Sequence, residues 1–205
     1  MGSVVCGSDR EAFARQQLGH IRCEVLHITV CFGFVAFGDK KGLQRKMICH
    51  PIPPFYDKNS NILILGSFPS VKSREQMFFY GHPQNRFWKV VAAVFDQEVP
   101  QSIEQKKEFL KRNSIAVWDV IGACEIEGSA DSTIKDVTPN DLSQILNTAD
   151  IKRIFVNGKT AEKYYNKYTK AVIGRDAVCL PSTSPANATW TLEKLIAEWK
   201  VLRKI

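Results

Sequence analysis

Short apolar runs begin to alternate with longer amphipathic segments at residue 61. Four runs, at residues 62–65, 115–120, 154–156 and 177–180, are apolar at nearly every position. Continuous apolar runs of this length predict strands that are buried on both faces of a parallel sheet. Polar, glycine or proline residues follow each run, so each predicted strand ends in a loop.

The segments between the runs carry helical signals. Ser102 and Gln105 form a capping-box pattern, which predicts a helix start. Thr138-Pro139 predicts another start, because proline is favoured at the first helical position. The expected helices are residues 85–95, 102–112, one that begins at Thr138-Pro139, 160–168, and a last helix whose apolar face carries Leu192, Leu195, Ile196, Trp199 and Leu202.

Strands that alternate with helices predict an α/β fold. We expect a three-layer α/β/α sandwich over a mainly parallel four-stranded sheet with right-handed crossovers. Residues 1–46 lack a comparable pattern and are interpreted as an N-terminal extension of a domain over residues 47–205. Two explanations stay open: Met47 is the biological start, or residues 1–46 form an added strand or tail that covers part of the domain.

Composition limits the kinds of binding partner and the cellular environment to be expected. The 205 residues carry a net charge of +7, which favours a polyanionic partner without identifying it. The six cysteines form no Cys-x-x-Cys pair, so we expect reduced thiols in a cytoplasmic protein. The longest apolar run, residues 25–37, is interrupted by His27 and is shorter than the roughly 20 residues of a membrane span. No membrane partner is therefore expected.

Ligands of such folds bind beyond the carboxyl ends of the strands, so the loops after the apolar runs carry the candidate chemistry. Residues 66–70 (GSFPS) follow the first run, and residues 181–187 (PSTSPAN) follow the fourth. Each loop alone is an ordinary turn, but two at one sheet edge suit the binding of an anion or a planar base. The sequence has no dinucleotide or Walker motif and no zinc-type ligand spacing, so neither a cofactor nor a metal is expected.

These motifs, taken together, resemble a known family. From about residue 50 to residue 199, the chain resembles the uracil-DNA glycosylase superfamily, and within it the hypoxanthine-DNA (DNA-deoxyinosine) glycosylase branch. Residues 65–70 (LGSFPS) are similar to the first motif of the superfamily, and residues 180–187 (LPSTSPAN) to its second motif. Residues 80–88 (YGHPQNRFW) are similar to the continuation that distinguishes the branch.

Two positions depart from the wider superfamily. Relatives that excise uracil usually place Asp or Asn in the first motif to position the hydrolytic water, whereas this chain has Phe68. The second motif often begins with His, and here Leu180 stands in that place. In the branch, the Asn of Gly-His-Pro-x-Asn-Arg-Phe-Trp is taken to supply the missing carboxamide, which implies Asn85 as the catalytic residue. The alternative for Asn85 is a helix N-cap.

The resemblance also implies a pocket for a flipped base and a surface for DNA. The candidate pocket residues are Gly66, Ser67, Phe68, Phe79, Tyr80, His82 and Asp119. The candidate DNA contacts are Pro69, Ser70, Pro181, Ser182, Thr183, Ser184 and Asn187. Structural alternatives stay open at three of them: His82 holding its own loop, Asp119 capping the following turn, and Asn187 capping the last helix.

These features predict a cofactor-free DNA glycosylase. It would flip a deaminated base, hypoxanthine foremost and uracil second, and hydrolyse the N-glycosidic bond. No lysine lies in a motif that indicates a Schiff-base nucleophile, so we expect a monofunctional enzyme, and we expect a monomer. Two alternatives stay open: a uracil or mispair-specific glycosylase, and a non-catalytic nucleic-acid or nucleotide-binding module of the same fold.

Overall fold

Residues 47–204 are described by the structure, a computed structural model, and their strands form two sheets. The larger sheet is parallel with the order β3-β2-β6-β7, and the smaller sheet is antiparallel with the order β1-β4-β5. The strands are β1 (Met47–Cys49), β2 (Ile62–Gly66), β3 (Ile115–Asp119), β4 (Ile121–Glu125), β5 (Lys135–Pro139), β6 (Arg153–Asn157) and β7 (Ala177–Leu180). The predicted extension over residues 1–46 lies outside the described residues, as does the apolar run 25–37.

Helices connect and flank the parallel strands. They are α1 (Val71–Gln76), α2 (Phe87–Val94), α3 (Ile103–Arg112), α4 (Ser143–Leu146), α5 (Lys159–Tyr164), α6 (Lys170–Ile173) and α7 (Leu192–Trp199). A π-helical turn, Tyr165–Thr169, joins α5 to α6, and 3₁₀ turns cover Asp131–Thr133 and Lys200–Lys204. The predicted α/β/α sandwich over a parallel four-stranded sheet is confirmed. Within residues 47–204, no helix has the length and hydropathy needed to cross a bilayer.

The core is centred on strand β2, which explains its continuous apolar sequence. All five residues of β2 are buried, because the strand pairs with β3 on one side and with β6 on the other. Helices α2 and α7 contact each other through Phe87 and Trp199, whose rings meet edge to face at 5.7 Å and are fully buried. Burying one large apolar side chain contributes about 1.5–3 kcal/mol to folding.

The prediction of a helix that starts at Thr138-Pro139 is wrong. Both residues close strand β5, which pairs with β4 in the antiparallel sheet through Ile121 and Pro139. Proline is tolerated there because β5 is an edge strand, where a missing N–H breaks no ladder. The next helix, α4, begins only at Ser143.

The antiparallel sheet was not predicted. Its first strand leads directly into His50 and places this residue at the end of the parallel sheet. Strand β1 pairs with β4, with Cys49 opposite Ala123, and β4 follows directly after β3. The N–H of His50 then donates to the carbonyl of Gly122 at 2.7 Å. His50 therefore lies beside the carboxyl end of β3, where the site described next is located.

Candidate active site

A cavity of about 820 Å³ opens at the carboxyl ends of the parallel strands. The last residue of each strand lines it: Gly66 of β2, Asp119 of β3, Asn157 of β6 and Leu180 of β7. This volume lies within the usual range for small-molecule sites, about 300–1,000 Å³. The cavity is lined by these predicted residues: Gly66, Ser67, Phe68, Pro69, Ser70, Phe79, Tyr80, Asn85, Asp119, Pro181, Ser182, Thr183, Ser184 and Asn187.

His82 is the predicted pocket residue that the structure does not bring to the cavity lining. Its Nδ1 accepts a hydrogen bond from the N–H of Gln84 at 3.2 Å, and its carbonyl accepts one from the N–H of Asn85 at 2.9 Å. His82 thus holds the loop that precedes α2, which is the structural role that the sequence left open.

Asn85 is fixed by a hydrogen-bond network that joins the loop before α2, the loop after β7 and the end of strand β6. Its Oδ1 accepts from the N–H of Phe87 at 2.9 Å and from the hydroxyl of Thr183 at 3.0 Å. That hydroxyl accepts from Nδ2 of Asn157 at 2.9 Å, while the Asn157 Oδ1 accepts from the N–H of Thr183 at 3.0 Å. The amide of Asn85 is therefore oriented: its oxygen is occupied, and its Nδ2 has no partner among the described residues.

Arg86 organises the loop after β7. Its guanidinium donates to the carbonyl oxygens of four described residues: Thr183 at 3.4 Å, Ser184 at 2.7 Å, Asn187 at 3.0 Å, and Trp190. Charge-assisted bonds from one planar group fix both the position and the orientation of its partners. From the sequence, Arg86 could be recognised only as part of a motif, because the carbonyl groups that its guanidinium contacts lie about 100 positions downstream.

The first-motif loop is held by hydroxyl groups. Ser67 donates to both carboxylate oxygens of Asp131, at 2.9 and 3.1 Å. Ser70 caps α1 by accepting from the N–H of Ser73 at 3.2 Å, and the Ser129 hydroxyl accepts from the N–H of Val71 at 2.9 Å. Asp131, which the sequence did not include among the site residues, also lines the cavity.

Three of the predicted pocket residues, Phe68, Phe79 and Tyr80, form an aromatic wall of the cavity. Phe68 and Phe79 are buried, with 8% and 2% of their surface exposed. Tyr80 has a positive φ of 53° and stacks on Phe87, with ring centroids 3.7 Å apart and planes 15° apart. The Tyr80 ring is therefore held in one orientation beside the cavity.

Asp119 is paired with His50, a residue that sequence reasoning missed. Nε2 of His50 donates to Oδ2 of Asp119 at 2.8 Å, and both side chains are buried. The two residues are 69 positions apart, and no local pattern around His50 indicates the pairing. Gly66 makes room for the carboxylate, because a Cβ on Gly66 would lie 2.2 Å from Oδ1 of Asp119.

The hydroxyl of Tyr80 is buried next to this carboxylate. It lies 3.5 Å from the position of a Cβ on Gly66, and it has no hydrogen-bond partner among the residues of the described range. Burial raises the pKa of Tyr80 well above its ordinary value; the charge of Asp119 acts in the same direction, and the Asn157 amide opposes it. The group therefore stays a neutral O–H that can donate.

Comparison with known proteins identifies the family. The family model for the uracil DNA glycosylase superfamily matches residues 53–205. The chain belongs to the uracil DNA glycosylase superfamily. Among its curated relatives, the hypoxanthine DNA glycosylase of Methanosarcina barkeri is 38% identical over 138 residues, which is 66% of this chain and 85% of that protein. The hypoxanthine DNA glycosylase of Methanosarcina acetivorans is 35% identical over 158 residues, which is 76% of this chain and 98% of that protein.

A solved structure supports the same assignment. It is a solution NMR structure from Methanosarcina acetivorans, provisionally named a uracil DNA glycosylase, with a TM-score of 0.64 and 32% identity. The match covers 77% of this chain and 99% of the chain in the NMR structure. The predicted membership of the superfamily, and of its hypoxanthine-DNA glycosylase branch, is confirmed.

The two departures from other superfamily members have clear structural consequences. Phe68 carries no polar atom and packs under the guanidinium of Arg74, 5.6 Å from the centre of its ring. Leu180 is buried, with 3% of its surface exposed, and cannot replace a histidine that contacts substrate. The carboxamide of Asn85 therefore becomes the group to consider for positioning water in this member of the superfamily.

A resident metal would need a cluster of ligands. Within the part of the chain that the structure describes, no group of three or more His, Cys, Asp or Glu side chains is arranged to hold a metal ion.

Proposed function

We propose that this protein is a monofunctional DNA glycosylase that removes hypoxanthine from DNA by hydrolysing the N-glycosidic bond. One observation carries the proposal: the N–H of Phe87 and the hydroxyl of Thr183 fix the Asn85 carboxamide, so that its oxygen is occupied and its Nδ2–H is left to donate. The curated relatives from Methanosarcina, both named hypoxanthine DNA glycosylases, support the choice of base.

The proposed reaction begins when the nucleotide flips out of the duplex and its base enters the cavity, where the aromatic wall covers it. The bond between the sugar C1′ and the base nitrogen breaks, and the base leaves with the bonding electron pair and takes up a proton. The sugar passes through an oxocarbenium-like state. The oxygen of a water molecule then bonds to C1′, and the proton that this water releases balances the proton taken up by the base, so that one water is consumed for each base released.

Asn85 would position that water without acting as a base. Its Nδ2–H donates to the water oxygen, since Oδ1 already accepts two hydrogen bonds. A neutral amide cannot remove a proton, but an oriented donor places the water near C1′ and requires no reorganisation when charge develops. The fixed orientation of the amide explains how a carboxamide can replace the missing polar residue of the first motif.

The hydroxyl groups of the loop after β7 are suited to the proposed contacts with DNA. The Ser182 Oγ accepts from the N–H of Ser184 at 3.2 Å, and the Ser184 Oγ accepts from the N–H of Ala186 at 3.3 Å. Each hydroxyl keeps its own hydrogen, which it can donate to a phosphate oxygen. Asn187 instead braces this loop, because its Nδ2 donates to the carbonyl of Ser182 at 2.9 Å.

The state of Lys159 supports a reaction without a covalent intermediate. Lys159 lines the cavity and pairs with Glu162 at 2.8 Å. The hydrogen bond to Glu162 raises the pKa of Lys159 above its ordinary value. A Schiff-base nucleophile needs a neutral amine. The side chain of Lys159 is therefore poorly suited to strand cleavage.

The test uses matched duplexes that carry one deoxyinosine, one deoxyuridine or neither. We expect base release from the deoxyinosine duplex, strand cleavage only after alkali, and rates unchanged by a chelator. Release of uracil with no release of hypoxanthine would favour the uracil-specific alternative. DNA binding with no release of either base would favour the non-catalytic one.

A further inference from the structure

We propose that His50 is a positioning residue that makes Asp119 a hydrogen-bond acceptor for the N–H of the flipped base. This arrangement would select bases that carry an N–H next to a carbonyl, as deaminated bases do. The inference rests on the proposed function, because it places the base of the substrate in this cavity. It is carried by a chain of hydrogen bonds that begins at the backbone.

The first link fixes the hydrogen on the imidazole. The N–H of Ile52 donates to Nδ1 of His50 at 3.2 Å, so Nδ1 is an acceptor. The ring hydrogen therefore lies on Nε2, which donates to Oδ2 of Asp119 at 2.8 Å. One backbone amide thus determines that the nitrogen facing the carboxylate is the one that carries the hydrogen.

The imidazole is held in place by aromatic rings. Phe68 and Trp118 contact it edge to face at centroid distances of 5.8 and 6.2 Å, and Phe79 lies tilted against it at 6.4 Å. Only 2% of the His50 side chain is exposed. A ring enclosed in this way cannot rotate freely, so the direction of its N–H is fixed.

The last link leaves one oxygen of Asp119 for the substrate. Oδ2 is occupied by His50, whereas Oδ1 lies against Gly66, and Asp119 and Gly66 both line the cavity. A carboxylate offers acceptors only. The buried hydroxyl of Tyr80 lies near the same point and supplies a donor. The cavity therefore presents an acceptor and a donor close together.

This pattern matches one edge of a deaminated base. Hypoxanthine has N1–H next to the O6 carbonyl, so Asp119 would accept from N1–H and Tyr80 would donate to O6. Adenine has an unprotonated N1 next to an amino group. The acceptor of Asp119 would then face the N1 acceptor, and the donor of Tyr80 would face the amino donor. A site built for a specific hydrogen bond strongly rejects analogues that leave its buried groups unpaired. Uracil has the same N–H and carbonyl pattern, so this pair would not separate it from hypoxanthine.

The experiment compares two purines in otherwise identical duplexes: hypoxanthine, and unsubstituted purine, which lacks both N1–H and O6. The quantity measured is the ratio of their kcat/KM values for base release. We expect His50→Phe, which keeps a ring but removes the donor, to lower the ratio of hypoxanthine to purine about 10-fold or more, as expected for a lost bond to a charged group. His50→Gln, which keeps an N–H donor, should restore most of the ratio.

Asp119→Asn provides a second, independent variant. The N–H of His50 should orient the new amide with its oxygen toward the ring, so that its NH₂ group faces the base. We expect this variant to favour unsubstituted purine, whose N1 is an acceptor. Asp150→Asn, at an exposed carboxylate paired with Lys152, is the matched control and should leave the ratio unchanged.

A purely structural role for His50 predicts a different result. In that case, His50→Phe would lower both rates by the same factor and would lower the melting temperature, with the ratio intact. That result, or an unchanged ratio in Asp119→Asn, would overturn the inference.

Binding of the free bases separates this inference from the proposed function. Thermal shifts with free hypoxanthine and free purine are measured on the wild type and on each variant. A wild type that binds hypoxanthine in preference to purine, loses that preference in His50→Phe, and yet releases no base would contradict the proposed function and support the inference. A wild type that neither binds nor releases hypoxanthine would overturn both.

Discussion

The Thr183 hydroxyl donates a hydrogen bond of 3.0 Å to the amide oxygen of Asn85, which lies 98 positions earlier in the chain. Thr183 is fully buried, and its hydroxyl also accepts from Nδ2 of Asn157. The end of strand β6 is thereby linked to the loop before α2. The geometry of the candidate catalytic amide thus depends on three separate parts of the sequence.

Asn85→Ala should abolish most base release and leave DNA binding nearly intact. The side chain is proposed to position water, and removal of one oriented group commonly lowers rates by about 10²–10³. Single-turnover excision and duplex binding are measured side by side. Asn147→Ala, at an exposed asparagine outside the cavity, is the matched control. Excision by Asn85→Ala within a few-fold of wild type would contradict the assignment.

Thr183→Val should lower both activity and stability. The methyl group preserves the shape of the side chain but leaves Nδ2 of the half-buried Asn157 without its acceptor, which costs about 1 kcal/mol. Asn85 also loses one of the two donors that fix its amide. Thr183→Ser keeps the hydroxyl and should retain most of the rate. Equal rates for the Val and Ser variants would show that the hydroxyl does not orient Asn85.

Arg86→Lys should loosen the loop after β7 although it keeps the charge. A lysine ammonium cannot reach the carbonyls of Ser184, Asn187 and Trp190 together, because it lacks the planar fork of a guanidinium. We expect faster proteolysis within residues 182–190 and a higher KM for DNA. Arg112→Lys, at the exposed end of α3, is the control. An unaltered cleavage pattern would refute this role.

A protein that begins at Met47 should fold and release base. The part of the chain that the structure describes, residues 47–204, contains the two sheets and the cavity-lining residues named above. A matched truncation that begins at Pro53 removes β1 and His50 and should lose stability and activity. Thermal unfolding and excision are measured on both truncations. A large loss in the Met47 protein would mean that residues 1–46 contribute to the domain.

Stability should fall between pH 10 and pH 12. Burial raises the pKa of Tyr165 from 10.0 to about 12, so the folded protein keeps the proton that the unfolded chain loses in this range. The stabilisation is complete below pH 10 and disappears as the pH passes the folded-state value; it amounts to about 2–3 kcal/mol. Denaturant unfolding across this range measures the slope.

Tyr165→Phe distinguishes this origin from general alkaline unfolding. The variant loses the hydrogen bond to the carbonyl of Arg175, so it should be less stable than wild type below pH 10. It should also lose less stability on going to pH 12, because phenylalanine does not titrate. Parallel curves for the two proteins would exclude Tyr165 as the source. Tyr80, whose pKa is also raised by burial, is present in both proteins, so part of the fall in stability with pH should remain in each.

Much of the fold could be predicted because three of its four parallel strands are buried on both faces. The runs that became β2, β3 and β6 are apolar for that reason, whereas β7, at the edge of the sheet, is apolar although three of its four residues are half-exposed or exposed. The alternation of these runs with helical segments along the chain favoured parallel pairing with helical crossovers. The small antiparallel sheet has a different character: β4 has two buried and three half-exposed residues, and β5 has only half-exposed or exposed ones. Because β5 has no continuous apolar run, nothing in its sequence indicated a strand, and Thr138-Pro139 was interpreted as a helix start.

The sequence by itself determined the family, the parallel sheet and the loops that line the cavity, since these depend on continuous apolar runs and on local motifs. Only the tertiary structure decided which atoms of those loops are available. The amide orientation of Asn85 follows from Thr183, and the single available oxygen of Asp119 follows from His50. Both partners are more than sixty positions away, and hydrogen bonds over such separations leave no periodic pattern in the chain.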